Sequence, residues 1–147
     1  MKKENKNLFI AGLILGLGLL GAIDGIVFHQ LLQWHHMILS PNIELEIFTD
    51  GLFTALFSAK LIWGGVKIFQ DARKNELGTS WRIFLGGIFI GGGSFNLVEG
   101  IVDHHILQVH RVKPLAENPL MDDLTFLAIG LLLVIIGFMI KRLEPNA

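Results

Sequence analysis

The run Glu99-Gly100-Ile101-Val102-Asp103-His104-His105, followed five residues later by His110, places two carboxylates and three histidines within twelve residues. On a soluble surface this would be ordinary. Here it continues directly from an apolar, glycine-rich stretch, where an ionisable side chain facing lipid costs several kcal/mol and normally turns inward or pairs. A looser copy, Asp24-Gly25-Ile26-Val27-Phe28-His29 and then His35, lies 75 residues earlier. The fold follows from reading both stretches as the ends of membrane spans.

Composition supports that reading. Of 147 residues, 52% are hydrophobic and 17% charged, and the mean hydropathy is +0.57. Several apolar runs approach the length that crosses a bilayer. The length suits one domain, residues 1–147. The net charge of -1, with dispersed Lys and Arg, argues against a nucleic-acid partner. The lack of cysteine excludes disulfides and thiolate metal sites held by this chain alone.

Working outward, the first span runs from about Leu8 into the His35 region and ends at Ser40-Pro41-Asn42, where proline breaks a helix. Lys2, Lys3 and Lys6 before this apolar run resemble a secretory signal, but no small-x-small cleavage site follows, so it reads as an uncleaved span. The second span covers Ile47 to Phe69, the third runs from Trp81 to His110, and the fourth from Asp123 to Ile140. The predicted fold is all-α: a four-helix transmembrane bundle of two α-hairpin repeats, about 8–70 and 82–141.

Laying Gly12–His36 over Gly87–Arg111 gives ten identities in 25 positions, with Gly12/Gly87, Gly16/Gly91, His29/His104, Gln33/Gln108 and His35/His110 among them and Asp24 opposite Glu99. Duplication explains this, and parallel repeats imply a pseudo-two-fold along the membrane normal. The spaced glycines predict close packing of spans one and three. Lys2, Lys3, Lys6, Arg73, Lys74, Arg82, Lys141 and Arg142 fall on one side, against Arg111 and Lys113 on the other; the positive-inside rule then puts both termini in the cytoplasm.

Counted along straight helices, Asp24, Asp50, Glu99 and Asp123 lie at similar heights, about 24 to 27 Å above the inner edge, with His29 and His104 about 7 Å higher and His35 and His110 about 9 Å above those. Glu99, Asp103 and His110 share a helix face, but His110 is about 16 Å from Glu99 along the axis, too far to share an ion. His104 lies about 140° around from Glu99, so a site using both needs other helices or a local bend at Gly100. The candidate metal residues are Asp24, His29, His35, Asp50, Glu99, Asp103, His104 and His110. Asp50 and Asp123 also read as N-caps of the spans they open. His36 and His105 read as interfacial histidines.

A nitrogen and oxygen donor set without thiolate suits iron, zinc, manganese or cupric copper. The leading expectation is a membrane metal-binding protein, for metal handling or support of a respiratory complex. The alternatives are a haem held by His29 and His104, a proton or ion relay, and a structural membrane subunit. No motif argues for an enzyme. Besides the lipid bilayer, a second copy or a membrane partner protein is open as a partner.

The strings AIDGIVFHQLLQWHHM, TDGLF and NLVEGIVDHHILQVHRV resemble a bacterial family of small four-span membrane proteins, a domain-of-unknown-function family numbered 2243. The resemblance covers nearly the whole chain and implies four helices in the bacterial cytoplasmic membrane. Family members often carry histidine where this chain has Thr54, and a second histidine at the position of Arg111. The family's association with cytochrome oxidase and copper-handling genes fits a metal role.

Overall fold

The structure, a computed structural model, describes residues 1–144. Four helices account for most of it: α1 (Lys3–Ile23), α2 (Ile43–Arg73), α3 (Trp81–Glu99) and α4 (Pro119–Arg142). There is no strand among the described residues. α1 continues without a break into a π-helical segment, Asp24–Leu31, and α3 into another, Gly100–Ile106. With these extensions all four elements are long and apolar enough to cross a membrane.

The helix starts are set by local chemistry. The Asn42 side chain accepts from the Glu44 amide at 3.0 Å and opens α2, Ser80 accepts from the Ile83 amide at 3.3 Å and opens α3, and Pro119 occupies the first turn of α4. Asp50 and Asp123 are therefore not caps, contrary to one reading of the sequence. Both lie inside their helices and are buried, freeing their carboxylates for tertiary partners.

α1 and α3 form the central pair, with α2 packed on α1 and α4 packed on α3. The pairing of α1 with α3 is backbone on backbone. A Cβ added at Gly12 would sit 2.5 Å from the Phe84 carbonyl oxygen, and one at Gly87 would sit 2.6 Å from that of Phe9. Only glycine permits this approach, which in lipid replaces the hydrophobic drive that water would supply. α2 and α3 stand apart, bridged by side chains such as Phe57 and Phe95 with ring centroids 4.9 Å apart. The outer face of α2 exposes Ile47, Phe48, Leu52, Ile62, Trp63 and Phe69, as expected of a surface solvated by lipid tails.

Candidate metal centre

The two π-helical segments build the site. In a π-helix the hydrogen bonds run from i to i+5, so residues five apart share a face. Asp24 and His29 are five apart, as are Glu99 and His104. The change of winding therefore removes the 140° separation that a straight α-helix would impose. The i+5 bonds that record it are Leu32 N to Val27 O at 2.8 Å and Leu107 N to Val102 O at 2.7 Å. Asp24 Oδ2 stands 3.0 Å from His29 Nε2.

Each π segment ends in a reversal. Trp34 N bonds Phe28 O and Val109 N bonds Asp103 O, both at 2.9 Å, across Gln33 and Gln108, whose φ angles are 49° and 50°. These left-handed residues turn the chain back on itself, so that His35 and His110 drop into the bundle at 2% exposure each. The straight-helix expectation for His110 is thus overturned: its Nε2 lies 3.9 Å from Glu99 Oε1. The spans end correspondingly earlier, at Leu31 and Ile106 rather than near His35 and His110.

Six buried side chains converge as a result. Asp24, His29, His35 and Glu99 form one group whose donor atoms all lie within 4.8 Å of one another, and Glu99, His104 and His110 form a second. Glu99 belongs to both. The imidazoles pack ring to ring, with His29–His35 centroids 4.6 Å apart and His104–His110 centroids 4.9 Å apart.

A layer behind these residues orients them. His29 Nδ1 donates to Asp50 Oδ1 at 2.9 Å, His35 Nδ1 to the Val112 carbonyl at 2.9 Å, and His110 Nδ1 to the Met37 carbonyl at 3.2 Å. His104 Nδ1 faces Asp123 Oδ1 at 3.5 Å. A carbonyl oxygen only accepts, so the proton of His35 and of His110 sits on Nδ1 and the Nε2 lone pair points into the cluster. Asp50 and Asp123 are themselves held by backbone amides, from Met37 at 2.7 Å and Val112 at 3.0 Å. His36 Nδ1 donates to Asp50 Oδ2 at 2.7 Å, and Arg111 donates to Asp123 Oδ2 at 2.9 Å. Burial, with the His35 and His104 rings beside it, holds the His110 imidazole down at about 3 and so neutral.

Most of what faces inward is unmatched. Asp24 Oδ1, both oxygens of Glu99, and the Nε2 atoms of His35, His104 and His110 are buried without a hydrogen-bond partner, while Asp24 Oδ2 and His29 Nε2 face each other. Orphaned acceptors of this kind cost about 1 to 3 kcal/mol each unless a cation or proton satisfies them. Buried carboxylates facing imidazole nitrogens could serve as the donor set of a metal site, with the outer hydrogen bonds such ligands normally carry. The residues present therefore fit a metal ion.

Of the residues singled out from the sequence, Asp24, His29, His35, Glu99, His104 and His110 meet here. Asp50 sits behind His29, as Asp123 does behind His104. Asp103 is not in either group; it is half-buried and lines a cavity with Phe53, Phe57, Phe95 and Lys60. His36, expected as a solvated histidine, is half-buried on Asp50. Sequence reasoning missed the carbonyls of Met37 and Val112, the role of Arg111 on Asp123, and Lys60. The offset of 75 residues was a usable signal for three of them, since it pairs His36 with Arg111 and Met37 with Val112.

No curated protein and no solved structure matches the chain. A model of the DUF2243 family, described as a predicted membrane protein, matches residues 11–144. With four membrane-length helices and nearly all of its length matched, the chain belongs to the DUF2243 family of predicted membrane proteins.

Proposed function

We propose that the protein is a membrane metalloprotein with a two-ion centre inside the bundle. Asp24, His29 and His35 hold one ion, His104 and His110 hold the other, and Glu99 bridges them. The observation that carries this is the convergence of eight buried donor atoms in two overlapping groups, six of them without a hydrogen-bond partner. Four imidazoles and two carboxylates suit iron, zinc, manganese or cupric copper. Such an ion would supply Lewis acidity or, for iron, manganese and copper, electron transfer. The chain's own part is to fix the imidazole tautomers through Asp50, Met37 and Val112 and to keep water out. The rings pack 4.6 to 6.2 Å apart, a spacing that admits ions between nitrogens rather than a porphyrin between rings.

The distribution of Lys and Arg supports both termini inside and the centre toward the outer face, and the family resemblance supports a bacterial cytoplasmic membrane. The ten matched positions and the paired contacts at an offset of 75 support duplication about an axis along the membrane normal. Metal handling, or service to a respiratory complex, is the role that fits a buried centre without a catalytic motif. Elemental analysis of protein purified without added chelator tests the reading. About two ions per chain are expected in the wild type and fewer than half that in Glu99→Ala and His104→Ala. A metal-free wild type, or equal content in all three, overturns it.

A further inference from the structure

Beside the centre lies a cavity of about 220 Å³ between α2 and α3, with Leu17 of α1 as its floor. Phe53, Phe57 and Phe95 make its walls, with ring centroids 4.7 to 6.2 Å apart. Phe53 also stacks on His29 with centroids 5.0 Å apart, so one of the lining rings touches the first ion group. Glu99, which is shared by both groups, lines the cavity directly. No other residue of the six-membered cluster is among those lining it.

Two charged groups here, Lys60 and Asp103, have no part in the metal centre. Lys60 is seven residues from Lys67, about 10 Å farther into the membrane along α2. Among the described residues it makes no ion pair, and its ammonium lies over the Phe57 ring, 5.0 Å from the centroid. Asp103, half-buried, likewise has no cationic partner among the described residues. A cation and a carboxylate in an aromatic cavity between membrane-length helices are costly unless they serve a ligand. A planar ring suits the offset and edge-to-face geometry of the three phenylalanines. A carbonyl or phenolic oxygen would satisfy Lys60, and a hydroxyl hydrogen would satisfy Asp103. The volume holds one substituted ring, below the usual range for larger ligands.

We infer that this cavity binds the ring of a membrane-dissolved quinone or quinol, presenting it to the Glu99 side of the metal centre. The inference rests on the two-ion reading only for what the bound ring would meet there; the binding itself depends on Lys60, Asp103, the aromatic walls and Ser94, which also lines the cavity.

The test uses the full chain in nanodiscs, titrated with a decyl-substituted benzoquinone and its quinol. Lys60→Met and Ser94→Phe, which fills the cavity, are titrated alongside, and metal content is measured on the same samples. Saturable binding of one molecule per chain is expected, weakened about tenfold or more by either variant with metal content unchanged. Metal-loaded wild type without saturable quinone binding overturns the cavity assignment and leaves the centre standing. Equal affinity for decane or decanoate also overturns it, marking the cavity as a crevice for lipid tails. Quinone binding by a metal-free wild type upholds the cavity while removing the two-ion reading.

Discussion

The rings of His35 and His110 stack almost in parallel, with centroids 4.9 Å apart and an interplanar angle of 9°. Each is anchored through Nδ1 to a carbonyl in the other half of the chain, His35 to Val112 and His110 to Met37. Two loops that are 75 residues apart in sequence thereby lock each other's imidazoles with Nε2 facing the cluster. Neither ring could be oriented this way by its own half alone.

Asp24→Asn separates stability from metal binding. Asp24 and Glu99 bring two buried carboxylates within 4.8 Å of each other, and an amide in place of Asp24 relieves that crowding while still bonding His29, so the metal-free variant gains about 1 kcal/mol. Metal occupancy falls because an anionic donor is lost. Thermal unfolding of chelator-treated protein, paired with elemental analysis, checks both; a metal-free variant less stable than metal-free wild type contradicts the electrostatic account.

Asp50→Asn acts behind the centre. Asp50 fixes the His29 ring and is itself held by Met37 N and His36. Outer hydrogen bonds of this kind are worth about 10- to 100-fold in metal affinity. Chelator competition should show that loss with near-normal loading at saturating metal.

The two reversals depend on tolerance of a left-handed backbone. Gln33→Val or Gln108→Val should cost about 1 to 2 kcal/mol, because a β-branched residue crowds its own backbone at φ near 50°. Gln33→Gly should match or exceed wild-type stability. Denaturation in a mixed-micelle titration distinguishes the three.

Among the glycines, environment predicts opposite outcomes. A Cβ at Gly16 would run into the Ile88 carbonyl, whereas nothing lies within 4 Å of one at Gly65. Gly65→Ala should be neutral or stabilising by up to about 1 kcal/mol. Gly16→Ala should open the α1–α3 seam and lower the melting temperature clearly.

The neutral His110 also sets a pH response. Its folded value of about 3 lies below the ordinary histidine value of 6.5, so between these the unfolded chain binds a proton that the native chain does not. Its contribution to stability is complete above about pH 6.5 and declines as pH falls from there toward 3. Melting of metal-free wild type from pH 7.5 to 5 should show this decline, and His110→Gln should flatten it.

The sequence alone determined the four apolar helices, because bilayer length and composition are local properties of the chain. It also marked Asp24, Glu99 and the paired histidines, because ionisable residues in an apolar run require an inward-facing purpose. The spaced glycines Gly12, Gly16, Gly87 and Gly91 announced the α1–α3 contact. The sequence did not reveal how the donors meet. Heights counted on a straight α-helix kept Glu99 from His110, which failed where the chain reverses at Gln108, whereas the 140° between Glu99 and His104 called for a bend at Gly100 and the change of winding begins there. A π-helical turn, a left-handed glutamine and a carbonyl from the opposite hairpin each depend on contacts made only after the helices assemble. Tertiary structure therefore decided that Asp103 faces an aromatic cavity with Lys60, while His35 and His110 enter the centre: helix winding and loop reversal reassign faces that residue spacing alone would fix differently.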